Sequence, residues 1–529
     1  MKSLLGSLLI IFISSSLQSQ TLEDAKRLTL NEQYEAASSA FKSLVSKFPV
    51  KGDYWYYYGE NCLKADEVDS AMTLFNLGIK NDPENLLNIV GLGKALKTRG
   101  KAVEANAQFE KALELGKGKN VDVLVTVAEA DIAIEPKNLE RAFKLLQDAE
   151  KKEARSSRIQ ILTGDAFLEN NDGSSAIKYY EKAQEYNPNS PQAALRLGQL
   201  WMRARNYQGK DGSKGALEYY KEAITIDPSY APGYRELGEL YAKAQRYQEA
   251  KENYQKYLEL SKGNTGARIR YASFLYVTKE YNEALSEINS IWQIDTTRNL
   301  LNRLAAYSSY ELKNYEQGLN HIENFFARQP EDKILPTDYA YYGKLLSETG
   351  NDSLAIEKLT IAIEKDSTET DLLSDMAALY SKMKNFEKAI EMYQRKAELK
   401  KATTNDYYRM GQAYYQLQEF GKADTAFLKV TEIQPKLLVG YLWRARSNSN
   451  LDPDTKEGLA KPFYEEVVLK GEEDTLKYQK ELMEAYKYLG FYFYLTKDYE
   501  NARIYWEKVK AIDPKDQQAL DALKDMKGK

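Results

Sequence analysis

The 529-residue sequence predicts an all-α solenoid of stacked helix hairpins. Three observations predict it: a small residue that returns on a 34-residue ruler, a second small residue twelve positions later, and a bulky residue four beyond that. The first marker falls at Ala25, Gly59, Gly93, Ala130, Gly164, Gly198, Gly238, Ala272, Ala306, Gly343, Ala377, Gly411, Ala445 and Gly490, and nine of the thirteen intervals are 34 residues. The second runs through Ala37, Ala71, Ala105, Ala142 and Ala176 to Ala502, and the third includes Phe41, Phe75, Phe109, Tyr180, Tyr220, Tyr254, Tyr393, Phe427 and Trp506. Small residues let two antiparallel helices approach, and large ones fill the space between successive hairpins. Pro49, Pro83, Pro188, Pro228, Pro330, Pro435 and Pro514 then close the second helix, because proline cannot continue the backbone ladder.

Taken in chain order, the first segment is a predicted export signal over residues 1–19. Lys2 supplies charge, Leu4 to Ile13 an apolar run, and Ser14 to Ser19 a small polar end. That run is short for a membrane span, and no cysteine follows it closely enough to carry a lipid. The solenoid is expected over 20–515, with about fourteen hairpins. Two hairpins place the second marker six and three residues late, at Ala216 and Ala460, which predicts insertions at Tyr207 to Gly215 and around Leu451 to Glu457. Longer intervals predict linkers at Gly116 to Asn120, Gln329 to Pro336 and near Gly471 to Leu476. Residues 516–529 read as a C-terminal capping helix and tail, with Leu520, Leu523 and Met526 at helical spacing to cover the last apolar face.

The segment Tyr234-Arg235-Glu236-Leu237-Gly238 with Tyr241, followed by Ala250 and Tyr254, resembles the tetratricopeptide-repeat signature, and the resemblance covers essentially the whole chain after the leader. It implies a right-handed superhelix of helix hairpins with a concave groove lined mainly by the first helix of each pair. It also implies a scaffold that binds proteins or peptides and is not an enzyme.

Composition narrows the chemistry. With 74 Lys plus Arg against 78 Asp plus Glu, the net charge of -4 offers no positive field for nucleic acid. One cysteine, Cys62, excludes an internal disulfide framework, and one histidine, His321, excludes a multi-histidine metal cage and a histidine-based nucleophile pair elsewhere in the chain. Cys62 stands where Tyr241 and Tyr414 stand in other repeats, as a buried inert thiol. His321 precedes Ile322 on a packing face. The glycines of 209–215 match no phosphate-binding loop, and Asp452-Pro453-Asp454 lacks the further oxygen ligands of a calcium loop. No cofactor and no metal are expected.

Groove-facing positions lie one residue after each small residue of a first helix, and about three before or four after it. They give Tyr56 and Glu60, Arg235 and Glu239, Arg303, Tyr307 and Tyr310, Tyr408, Gln412 and Tyr415, and Lys487, Phe491 and Tyr494. Tyrosine offers large contact area with few rotors and a hydroxyl, which suits an extended peptide or a partner helix. No repeat carries the Lys and Asn pair with which some relatives clamp acidic chaperone tails, since Arg235 is followed by Glu239 and Arg303 by Tyr307. The expected function is therefore an exported, periplasmic scaffold of a Gram-negative bacterium. It would act in an envelope assembly, secretion or uptake complex and associate with the outer membrane only through a partner. A groove that binds or processes carbohydrate, and a self-associating structural protein, are the alternatives.

Overall fold

The computed structural model describes residues 21–209 and 212–527. The leader expected at 1–19 lies outside the described residues. Among those described, the chain forms 29 α-helices, two short 3-10 turns and no strand, and no helix is long and apolar enough to cross a membrane. It divides into two compact units, the first ending at Thr297 and the second beginning at Arg298. Unit 1 holds eight hairpins, from Leu22–Leu30 with Tyr34–Lys47 to Thr265–Val277 with Tyr281–Trp292. Unit 2 holds six, from Leu300–Glu311 with Tyr315–Arg328 to Gln479–Leu495 with Tyr499–Ile512, followed by the short helix Gln517–Asp525. The fourteen hairpins are those the 34-residue ruler predicts.

Each hairpin is made locally. In the second (Gly52–Lys64 with Val68–Asn81), the first helix ends at a residue with positive φ, Asp66 at +66°, and the next amide, of Glu67, returns to the Cys62 carbonyl at 2.8 Å. A left-handed residue at this point reverses the chain while satisfying terminal carbonyls. Glu32, Asn171, Gln245, Lys279, Lys313, Lys384, Gln418 and Lys497 do the same in other hairpins, with φ between 57° and 64°. A side chain in that region costs about 1–2 kcal/mol, so its recurrence without glycine means the hairpin's packing imposes the turn. Side chains of Asn120, Asn138, Asp172, Asn264, Asp498 and Asp516 accept backbone amides at helix starts, supplying the acceptors that an N-terminus lacks.

The core follows from the two markers. The ring of Phe75 lies against Gly59, sixteen residues upstream, so closely that no Cβ fits there. A Cβ on Gly164 would stand 2.5 Å from the Tyr180 ring, one on Gly411 2.7 Å from Phe427 and one on Gly490 2.9 Å from Trp506. Phe75, Tyr180 and Phe427 are fully buried, each worth about 1.5–3 kcal/mol of transfer free energy. In the sixth hairpin the partner of Gly198 is Tyr220, six positions later than the ruler would place it, because the Tyr207 to Gly215 insertion intervenes. The insertion after Leu451 is organised by one carboxylate. Asp452, 7% exposed, accepts the amides of Lys456, Glu457 and Gly458 at 2.9, 3.0 and 2.8 Å, so its oxygens are committed to the backbone. The terminal helix buries Ala519 and Met526 against the last hairpin.

Candidate functional site

First helices of unit 1 face a common lumen of about 620 Å³, a volume typical of ligand pockets. Its wall is built from positions at or near the first marker of several repeats: Tyr56, Tyr57 and Glu60 from the second hairpin, Glu129 from the fourth, Arg158 and Asp165 from the fifth, Arg196 from the sixth and Tyr230 at the entry to the seventh. Helices that pack with their small residues inward leave the neighbouring position of each turn pointing to the superhelix interior, which is why charged and aromatic side chains gather there.

The charges are tied from hairpin to hairpin. Lys94 donates to Glu60 Oε2 at 2.6 Å and lies 3.9 Å from Glu129 Oε2, while the Arg158 guanidinium is shared among Thr126 at 3.2 Å and Asp122 and Glu129 at 3.5 Å. Arg196 approaches Asp165 at 2.9 Å, and Asp165 accepts the Tyr180 hydroxyl at 2.7 Å. Burial alone would raise the Glu129 carboxyl, but Lys94, Arg158 and Lys64 override it and hold it at about 2. Burial likewise works against the Lys94 ammonium, and the Glu129 and Glu60 carboxylates outweigh it and raise its pKa. Glu60 and Glu129 thus converge on one ammonium. Lys94 and Arg158 favour the ionised form of Glu129, the opposite of the raised pKa that a glycosidase general acid uses.

A depressed carboxyl stabilises the fold above its unfolded pKa and loses that contribution as the pH falls through its folded value. The melting temperature of the parent should therefore exceed that of Glu129→Gln at neutral pH, and the gap should close between about pH 4.5 and about pH 2. A gap that stays constant across that window would contradict the Lys94 and Arg158 attribution.

The sequence-predicted groove residues separate into several places. Tyr56 lines the lumen but is 3% exposed, its ring 6.1 Å from that of Phe75. Arg235 is taken by Glu32, far upstream in the chain, and by Glu236 at 2.9 Å, and its neighbour Glu239 lies 3.9 Å from Arg270. In unit 2, Arg303 forms two 2.7 Å bonds to the fully buried Asp338, Tyr307 donates to the same carboxylate at 2.5 Å, and Tyr310 stands edge-on to Tyr341. These three join the ninth and tenth hairpins.

Tyr408 and Tyr415 both pack on Trp443, with ring centroids 6.3 and 5.2 Å away, and Gln412 donates to the Tyr408 hydroxyl at 3.0 Å. Both tyrosines are half-buried, with Trp443 of the next hairpin against each ring. Lys487, Phe491 and Tyr494 do come together, on a depression of about 700 Å³ shared with Trp506 and the terminal helix. There Lys487 pairs with Asp516 at 2.5 Å, Tyr494 donates to Asp525 at 2.5 Å, and Phe491 is 44% exposed.

Cys62 is 3% exposed, and burial pushes its thiol up to about 12, so it is unreactive at neutral pH. His321 is half-buried, and burial lowers its pKa.

Tetratricopeptide-repeat profiles match residues 30–85, 161–231, 242–306, 372–407 and 407–437. A solved structure, the C-terminal part of a tetratricopeptide-repeat protein from Cytophaga hutchinsonii, is 35% identical over 48% of this chain and 99% of its own, with a TM-score of 0.45. The chain belongs to the tetratricopeptide-repeat family. Human tetratricopeptide repeat protein 12 is 27% identical over 133 residues, which are 25% of this chain and 19% of that protein, so the chain spans about a fifth of that relative's length. Yeast Tom70 is 12% identical over 77% of this chain and 95% of its own, with a TM-score of 0.33. The repeats support a protein-interaction scaffold.

Proposed function

We propose that this protein is an exported scaffold that binds partner proteins or peptides in the lumen of unit 1, as part of an envelope assembly, secretion or uptake complex of a Gram-negative bacterium. The observation that carries the binding half is the lumen itself. It is ligand-sized, walled by the first helices of several repeats, and presents the half-buried Tyr57 ring among fixed charges of both signs. Such a wall matches the mixed character of a polypeptide, whose amides and carbonyls need donors and acceptors while its side chains need aromatic surface. The export half is supported by the apolar run Leu4 to Ile13 behind Lys2.

Photo-crosslinking in intact cells tests both halves. A photoreactive residue in place of Tyr57, on the lumen wall, is expected to capture an envelope protein, whereas one in place of Lys42, exposed on a second helix, is not. Equal capture from both positions, or none from position 57, would overturn the lumen as the binding place. Capture of cytosolic proteins alone would overturn the export half.

A further inference from the structure

The ring of hairpins around the lumen is closed at one seam. The tip of the first hairpin (Leu22–Leu30 with Tyr34–Lys47) meets the seventh (Ala231–Lys243 with Tyr247–Leu260) and the segments flanking it. Glu32 accepts from the Arg235 guanidinium and from the Tyr257 hydroxyl, Asn31 Nδ2 donates to Ser229 Oγ at 3.0 Å, and Asn264 Nδ2 donates to the Glu32 carbonyl at 3.2 Å. Leu30 adds an apolar contact, packing on the cluster that contains Tyr230 and Tyr257. In a solenoid each repeat touches only its neighbours. Residues 203 positions apart meet here because the curvature of unit 1 brings its start back onto its seventh repeat.

Two properties set this seam apart from the joints between successive hairpins. Those joints set their ion pairs in a continuous apolar core, while at the seam four polar contacts of Asn31 and Glu32 stand beside a single apolar side chain of the first hairpin, Leu30, on the Tyr230 and Tyr257 cluster, a mixed character closer to interfaces that open and close. Breaking the seam also strands no buried charge. Arg235 keeps Glu236 at 2.9 Å, and Glu32, at a hairpin turn, returns to water. With the seam shut, the first and seventh hairpins close the side of the lumen, so an extended internal segment of a folded partner has no lateral way in.

We propose that the first hairpin is a releasable latch. Its tip lets go of the seventh hairpin to admit a partner segment sideways, then re-engages around it. This rests on the lumen being the place where the partner binds, as proposed above.

The test needs no partner, so its failure is distinguishable from that of the crosslinking experiment. In the full chain carrying Cys62→Ser, a Gln192→Cys substitution puts one thiol on the lumen wall. Labelling rates are compared for a small maleimide and for a maleimide attached to a small folded protein, with and without Glu32→Ala. Release of the latch is expected to speed the bulky reagent about tenfold or more, with the small one changing less than about twofold, because only the open population admits bulk. A Glu32→Gln variant keeps an oxygen for Arg235 and can donate its amide to the Tyr257 hydroxyl, which then accepts, and it is expected to label close to the parent. The proposal is overturned if Glu32→Ala leaves the bulky rate unchanged, if it speeds both reagents equally, which reports general loosening, or if Glu32→Gln labels as fast as the alanine variant.

Discussion

Replacing Asp131 by alanine is expected to cost about 3–5 kcal/mol, the range for removing one partner of a buried ion pair. Asp131 is fully buried and holds two cations: Lys97 Nζ, itself 3% exposed, at 3.0 Å, and the Arg141 fork at 2.6 and 2.9 Å. Arg141 is only partly buried and keeps Glu110 at 2.9 Å. Lys97 would keep only the Ala130 carbonyl, at 3.1 Å, for a buried ammonium. The substitution therefore acts through the stranded lysine. Lys97→Met offers the comparison, since it removes that ammonium and leaves the bidentate Asp131–Arg141 pair intact, so it should cost much less. Urea unfolding of the full chain measures both. The local signature is faster amide exchange in Leu87–Thr98 and Val121–Ala133, the two helices the pair joins. If Asp131→Ala and Lys97→Met proved equally costly, the loss would come from packing and not from an uncompensated charge.

Asp131 and Glu32 are both acidic side chains that join hairpins by accepting from two donors, but only Asp131 leaves a buried cation behind when it goes. The first is a fixed joint, and the second meets the electrostatic condition for a joint that opens.

The fold is legible in the sequence because its period is a packing requirement. A small residue under an aromatic ring sixteen positions on is a local relation, repeated until the pattern exceeds chance, and Gly59 with Phe75 or Gly164 with Tyr180 needs nothing distant to form. Part of the lumen is legible in the same way. Lys94 with Glu60, and Lys97 with Asp131, are opposite charges 34 residues apart, so pairing charges along the same ruler finds them. Projecting the groove locates Tyr56 and Glu60 on the lumen but treats each repeat as if its neighbours were absent. Arg303, Tyr307, Tyr408 and Tyr415 read only as groove-facing for that reason, without the Asp338 or Trp443 that the next repeat places against them. The pairing of Glu32 with Arg235 and Tyr257 lies on no ruler. It depends on the accumulated curvature of six stacked hairpins, which small per-repeat rotations set and which no residue type encodes.

Two glycines of the fifth hairpin (Ser157–Glu169 with Gly173–Tyr186) should respond with opposite sign to added bulk. Gly164 faces the Tyr180 ring so closely that even a methyl group would stand 2.5 Å from it, and that ring is pinned by its hydroxyl bond to Asp165 at 2.7 Å. The ring therefore cannot swing away without losing a partner, and Gly164→Leu is expected to destabilise unit 1 by about 3 kcal/mol or more, at the upper end for an overpacked core. Gly173 begins the second helix, and a methyl group added there would meet nothing within 4 Å. Gly173→Ala should therefore be neutral or stabilising by up to about 1 kcal/mol, because it restricts the unfolded chain without a clash. Thermal melting of the two variants beside the parent decides the matter. A destabilised Gly173→Ala, or a Gly164→Leu that melts with the parent, would mean that the fifth hairpin does not pack in this register, and the 34-residue assignment on either side of it would shift as well.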